Sequence, residues 1–157
     1  VKNLQQELQQ SKPFASPGVE ASLNVTRTAT LLAQPFDKLF KEHGLTGTLY
    51  NVLRIVRGAG EQGIPCLNIG PRMLSRVPDV TRLVDRLVKL ELVDRVRIEE
   101  DRRVVLIRLT PKGSTVLDAI EEPLMDLHSA QWSHLSADEL NTLNDLLTKA
   151  RQPWLQA

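Results

Sequence analysis

The spacing of apolar residues changes period between Asp79 and Leu109, and few folds accommodate that change. Val80, Leu83, Val84, Leu87, Val88 and Leu90 recur three and four residues apart. That spacing gives a helix one apolar face and one polar face. From Leu92 the period shortens. Leu92-Val93-Asp94-Arg95-Val96-Arg97-Ile98 alternates, and Val104-Val105-Leu106-Ile107-Arg108-Leu109 alternates in part. Period two is the pattern of a half-buried strand, whose successive side chains point to opposite faces. Glu99 to Arg103 lies between the two segments as a charged turn. The segments therefore read as an antiparallel hairpin with a polar tip.

Helical patterns flank this unit. Val19 to His43 carries Leu23, Leu31, Leu32, Phe36, Leu39 and Phe40, and Gly44 closes it. Pro35 predicts a kink or break near residues 31–35, because proline removes a helical hydrogen bond. Thr46 suits the N-cap of a second helix built on Leu49, Tyr50, Val52, Leu53 and Val56, ended by Gly58, Gly60 and Gly63. Ile64, Leu67, Ile69, Met73 and Leu74 suggest a short third helix, which Gly70-Pro71 makes a poor one. Val77-Pro78-Asp79 is the start signal of the next helix, expected to run to about Glu91. Thr110-Pro111 opens another, with Pro123 as a kink point. Ser136 and Glu139 form a capping box before a final helix through Leu140, Leu143, Leu146 and Leu147 to about Arg151. Residues 1–17 are polar and interrupted by Pro13 and Pro17, which predicts a flexible N-terminal arm.

The fold class that follows is mainly α with a small β-hairpin wing. A helix pair followed by a hairpin is a winged helix-turn-helix, assigned to residues 46–113. At 157 residues, 41% of them apolar and 4% aromatic, the chain can bury an aliphatic core without disulfides or a structural metal. Cys66 is the only cysteine, so no intrachain disulfide forms, and it reads as a structural thiol in a reducing, cytoplasmic setting. Val1 to Gln10 lacks a basic segment followed by an apolar run, so no export signal is expected. No 18 apolar residues run together, so no transmembrane helix is expected either. His43, His128 and His134 show no metal-ligand spacing. No glycine-rich phosphate loop or nucleophile elbow is present. Glu99-Glu100 and Glu121-Glu122 read as solvated faces, and Trp132 and Trp154 as packing or dimer contacts. The chain is expected to be no enzyme and to need no cofactor.

Charge separates along the sequence. Between Arg72 and Lys112, 11 Lys and Arg stand against 7 Asp and Glu, whereas the remainder has an acidic excess. A basic middle suits an anionic partner such as DNA. In the helix that starts at Asp79, an inward apolar face leaves Asp79, Thr81, Arg82, Asp85, Arg86 and Lys89 outside. Thr81 and Arg82 lie near the N-terminal end, the part of a recognition helix that reaches base edges. Arg82 can read guanine in bidentate fashion. Ser75 and Arg76, just ahead, suit phosphate contacts. At the hairpin tip, Arg102 and Arg103 can enter a narrow minor groove, with Asp101 bracing Arg103. Two other readings stay open. The charged helix face and tip can serve solubility alone, or the unit can be a winged-helix module for protein–protein interaction without specific DNA binding.

The run Asp79-Val80-Thr81-Arg82-Leu83-Val84-Asp85-Arg86-Leu87, then Leu92-Val93, Asp101-Arg102-Arg103 and Leu109-Thr110-Pro111-Lys112-Gly113, resembles the signature of the MarR family of regulators. The resemblance covers residues 19–150, and its specific part is 75–113. It implies a homodimer, with residues 18–45 and 114–157 as dimerisation helices. It further implies a pseudo-palindromic DNA operator, with Val80, Thr81 and Arg82 in the major groove and Arg103 in the minor groove. The resemblance also implies repression relieved by a small, often aromatic effector bound between the dimerisation helices and the winged region. Gly70-Pro71 departs from the family pattern within the first helix of the pair. The operator, the effector and the sign of regulation are not legible in the sequence.

Overall fold

The computed structural model describes residues 2–97 and 104–155. Most helices begin where a side chain accepts one of the first free backbone N–H groups. Asn3 does so for α1 (Leu4–Glu7), Ser16 for α2 (Pro17–Glu42), Thr46 for α3 (Gly47–Gly58), Asp79 for α4 (Val80–Lys89) and Thr110 for α5 (Pro111–Trp132). The reciprocal box expected at Ser136 starts α6 (Ala137–Leu155). Ser136 Oγ accepts the Glu139 N–H at 3.3 Å, and Glu139 Oε2 accepts the Ser136 N–H at 2.8 Å. That backbone hydrogen bond, then the one from the Ser136 hydroxyl, holds the Glu139 carboxyl below the usual carboxylate range.

The structure departs from the sequence expectations or adds to them at several points. The segment expected as a helix from Ile64 to Leu74 forms strand β1 (Ile64–Pro65) and two single 3-10 turns, Cys66–Asn68 and Gly70–Arg72. Pro71 donates no N–H, so a continuous α-helix would lose an interior bond there, whereas the short 3-10 turn takes it near its start. Next, α2 and α5 run through Pro35 and Pro123 without a break. Both prolines are exposed, as are Leu31 and Ala119 four residues before them, so solvent can take up the carbonyls that lose their donors. Residues 2–17 are not wholly without regular structure: α1 buries Leu4, and Glu7 pairs with Arg27 of α2 at 2.7 Å. Finally, α4 stops at Lys89 rather than Glu91, because Glu91 turns into the left-handed region at φ 61°. The Leu92 N–H then closes onto the Leu87 carbonyl at 3.0 Å, a helix-ending bond.

The hairpin formed as expected, and the sheet gained a strand. Strands β2 (Val93–Arg97) and β3 (Val105–Leu109) pair antiparallel, with Val93 opposite Leu109 and Arg97 opposite Val105. β1 adds to the other edge of β3, Ile64 opposite Ile107, giving the order β1-β3-β2. Two glycines permit close approaches. Gly63, at φ 75°, passes β3 so closely that a Cβ would stand 2.6 Å from the Ile107 carbonyl oxygen. Gly113 is buried in the first turn of α5, where a Cβ would overlap the Leu92 carbonyl.

The core lies within the winged region and the helix ends that meet it. Leu49, Leu53, Ile69, Leu87, Ile107, Leu117 and Ile120 are its largest fully buried side chains, drawn from α3, the 3-10 segment, α4, β3 and α5. An ion pair secures α3 to α5, with Arg57 Nη2 lying 2.7 Å from Asp118 Oδ1 and 3.6 Å from Glu121 Oε2. The outer helices are different. Among the described residues α6 buries no side chain, and Val19, Leu23, Val25, Leu31, Met125, Leu146 and Trp154 stand exposed on α2, α5 and α6. No helix among the described residues is long and apolar enough to cross a membrane.

Candidate nucleic-acid interface

The spacing in α4 turns into a divided surface. Val84 and Leu87 are fully buried and Leu83 is half-buried, whereas Thr81, Arg82, Arg86 and Lys89 are exposed. Asp79 and Val80 are half-buried at the start of the helix. Asp79 caps that start, its Oδ1 accepting the Arg82 N–H at 3.1 Å. Its Oδ2 also lies 3.1 Å from Arg82 Nε. The Arg82 side chain is nonetheless 87% exposed, so the pair restrains the arginine without withdrawing it. A surface pair of this kind contributes about 0–1 kcal/mol and is readily exchanged for another anion.

Ser75 and Arg76 are exposed in the segment leading into α4. That segment is held from below, since Asn51 Oδ1 of α3 accepts the Leu74 N–H at 2.9 Å. On the other side, Asp85 of α4 meets Arg95 of β2 at 2.6 Å, which ties the helix to the base of the wing. Asp101, Arg102 and Arg103 lie outside the described residues. Ser75, Arg76, Thr81, Arg82 and Arg86 are thus each exposed, on α4 or on the segment that leads into it.

Arg95 and Arg97 escaped the sequence reading. Both are exposed on β2, and together with Thr81 they line a hollow of about 420 Å³ between α4 and the sheet. Their sequence signal was the shared parity of positions 93, 95 and 97, which places two arginines on one strand face. Cys66 and the exposed Leu67 border the same hollow. Cys66 is half-buried, less enclosed than a core thiol.

A second feature is a cavity of about 430 Å³ between α2, α3 and α5. Phe36, Phe40, Tyr50 and His128 line it, and Leu74 and Ser75 reach its edge from the segment leading into α4. Burial raises the Tyr50 hydroxyl pKa above its usual value, and Glu121 raises it further, while the charges of Arg54 and Arg57 oppose the rise. Among the described residues no group of three or more His, Cys, Asp or Glu is arranged to hold a metal ion.

An amphipathic helix with an exposed basic face, seated on a core and followed by an antiparallel wing, defines a DNA-binding regulator of the winged helix-turn-helix class. Residues 34–120 match the family model described as transcriptional regulator SarA/Rot. The multiple antibiotic resistance protein MarR of Salmonella typhimurium is 32% identical over 133 residues, spanning 78% of this chain and 88% of that protein. The chain belongs to the MarR family of transcription regulators. Solved structures agree. A MarR transcription factor from Planctomyces limnophilus is 38% identical with a TM-score of 0.66, covering 87% of this chain and 98% of that one. A cysteine-to-serine variant of MarR from Escherichia coli, complexed with operator DNA, is 28% identical with a TM-score of 0.68, covering 86% and 99%. PcaV from Streptomyces coelicolor, in complex with its natural ligand, is 25% identical with a TM-score of 0.67, covering 87% and 92%.

Proposed function

We propose that this chain is a homodimeric repressor that binds a pseudo-palindromic operator and is released from it by a small molecule. The observation that carries the reading is the exposed face of α4, with Thr81 and Arg82 at its first turn above a fully buried Val84 and Leu87. In this reading Val80, Thr81 and Arg82 enter the major groove, where Arg82 exchanges its weak pair with Asp79 for a guanine edge. Ser75, Arg76 and Arg86 hold phosphates, and Asp79 stands with them at the DNA while its carboxylate fixes the helix start. Asp101, Arg102 and Arg103 form the wing tip, with Arg103 in the minor groove. The likeness to a MarR protein crystallised on operator DNA supports the docking.

Dimerisation is supported by the apolar side chains that α2, α5 and α6 leave uncovered. A second copy is the occupant that places two α4 helices on one duplex, as the two-fold symmetry of such operators requires. Effector release is supported by the cavity between α2, α3 and α5, whose rim carries Leu74 and Ser75. A molecule lodged there touches both the long helices and the segment that leads into the recognition helix. The liganded PcaV relative supports the same reading.

The test is binding to DNA selected from the genome of origin, followed across a salt series. A protein gripping phosphates on two half-sites loses affinity with a slope of about −0.9 per phosphate neutralised. The expected result is a steep fall of log affinity with log salt, and a strong preference for the selected DNA over unrelated sequence. Weak binding to all DNA alike would instead favour a protein-interaction module.

A further inference from the structure

The cavity between α2, α3 and α5 has a charge of its own, and it deepens the effector reading on which it rests. Its walls are rings in two pairs. Phe36 meets His128 with centroids 4.8 Å apart at 42°, and Phe40 stacks on Tyr50 at 4.3 Å and 18°. Asp37 lies between Phe36 and Phe40 in sequence and lines the same cavity. Its Oδ1 stands 3.7 Å from the position a Cβ would take on Gly47, so the carboxylate sits beside the start of α3. Among the described residues Asp37 has neither an ion-pair partner nor a hydrogen-bond donor, and no lysine or arginine lines the cavity. Arg54 and Arg57 act on the Tyr50 hydroxyl but are not lining residues, and Arg57 is engaged by Asp118 and Glu121.

These features select one sign of ligand charge. Aromatic rings at a site favour a bound cation through their quadrupole. A carboxylate at the wall of a largely apolar cavity adds attraction for a cation and repels an anion, and because Asp37 is exposed the effect weakens as salt rises. An aromatic carboxylate would meet Asp37 with no lining arginine or lysine to compensate. We propose that this cavity takes a flat aromatic molecule bearing an ammonium group, in preference to an aromatic acid. Its volume of about 430 Å³ falls within the usual range for a small-molecule site.

Three probes that share one ring system test this by isothermal titration calorimetry: naphthylmethyltrimethylammonium, naphthylacetamide and naphthylacetate. The ammonium is expected to bind about tenfold more tightly than the acetate, with the neutral amide between them. Asp37→Asn should narrow the difference between the charged probes, leaving only the part the rings supply, and leave the amide unchanged. Phe36→Leu should weaken all three, placing them in this cavity. Asp37 is exposed and unpartnered among the described residues, so its amide variant is expected to fold as the parent does, which circular dichroism checks. Equal or tighter binding of the acetate, or an ammonium preference undiminished in Asp37→Asn, overturns the charge assignment. An acetate that both binds and releases DNA would do so while leaving effector control standing. Failure of all three to bind the parent overturns both readings together.

Discussion

Leu146→Asp is expected to convert the protein to a monomer and to lower its affinity for a two-half-site operator by about 100-fold or more. Leu146 is 60% exposed on α6, a helix that buries none of its described side chains against its own chain. In a monomeric protein, polar replacement of so exposed a leucine changes stability by about 0.5 kcal/mol at most. Against a second copy the outcome is different, because the aspartate would be buried without a partner in both subunits. Loss of the dimer then removes the linkage between two reading heads, which contributes roughly 10²–10⁴ in apparent affinity without any new contact. Sedimentation equilibrium and fluorescence anisotropy on the same samples report both effects. A variant that stays dimeric and binds as the parent does would mean that α6 is covered by something other than a second copy.

Arg82→Ala is expected to reduce the preference for operator over unrelated DNA by about 10- to 100-fold, the discrimination of one bidentate arginine–guanine contact. The substitution should leave folding intact, since the side chain is 87% exposed and alanine retains the backbone N–H that Asp79 accepts. Two measurements separate base reading from phosphate contact. Competition between operator and scrambled duplexes reports the specificity ratio, and the salt slope reports the phosphates neutralised. The ratio is expected to collapse while the slope changes little. A uniform loss on every sequence, with a slope shallower by about one, would reassign Arg82 to the DNA backbone.

What could be read in the sequence was local. The caps at Thr46, Thr110 and Ser136, the inward face of α4 and the two strands of the hairpin all follow from spacing within a few residues. Where the reading failed, distant residues decided. Apolar positions between Ile64 and Leu74 recur at intervals that fit an α-helix, but two 3-10 turns satisfy them as well. Strand β1 is two residues long, too short for alternation to show, and it exists because Ile64 meets Ile107 across more than forty residues of chain. A break at Pro35, one of the two outcomes expected there, did not form, because the position is exposed and solvent can replace the lost bond. The pair between Asp85 and Arg95 and the cavity that joins Phe36 to His128 are tertiary meetings that no local pattern announces.

The central claim is that α4 enters the major groove of one duplex in two symmetric copies. Affinity cleavage tests it most directly, with an iron chelate attached at Thr81→Cys in a Cys66→Ala background, so that no other thiol carries the reagent. Two clusters of cuts are expected on the operator, placed symmetrically and about one helical turn of 10–10.5 bp apart, or a multiple of it. Cutting spread evenly along the probe, or confined to one side of the operator centre, would contradict the claim.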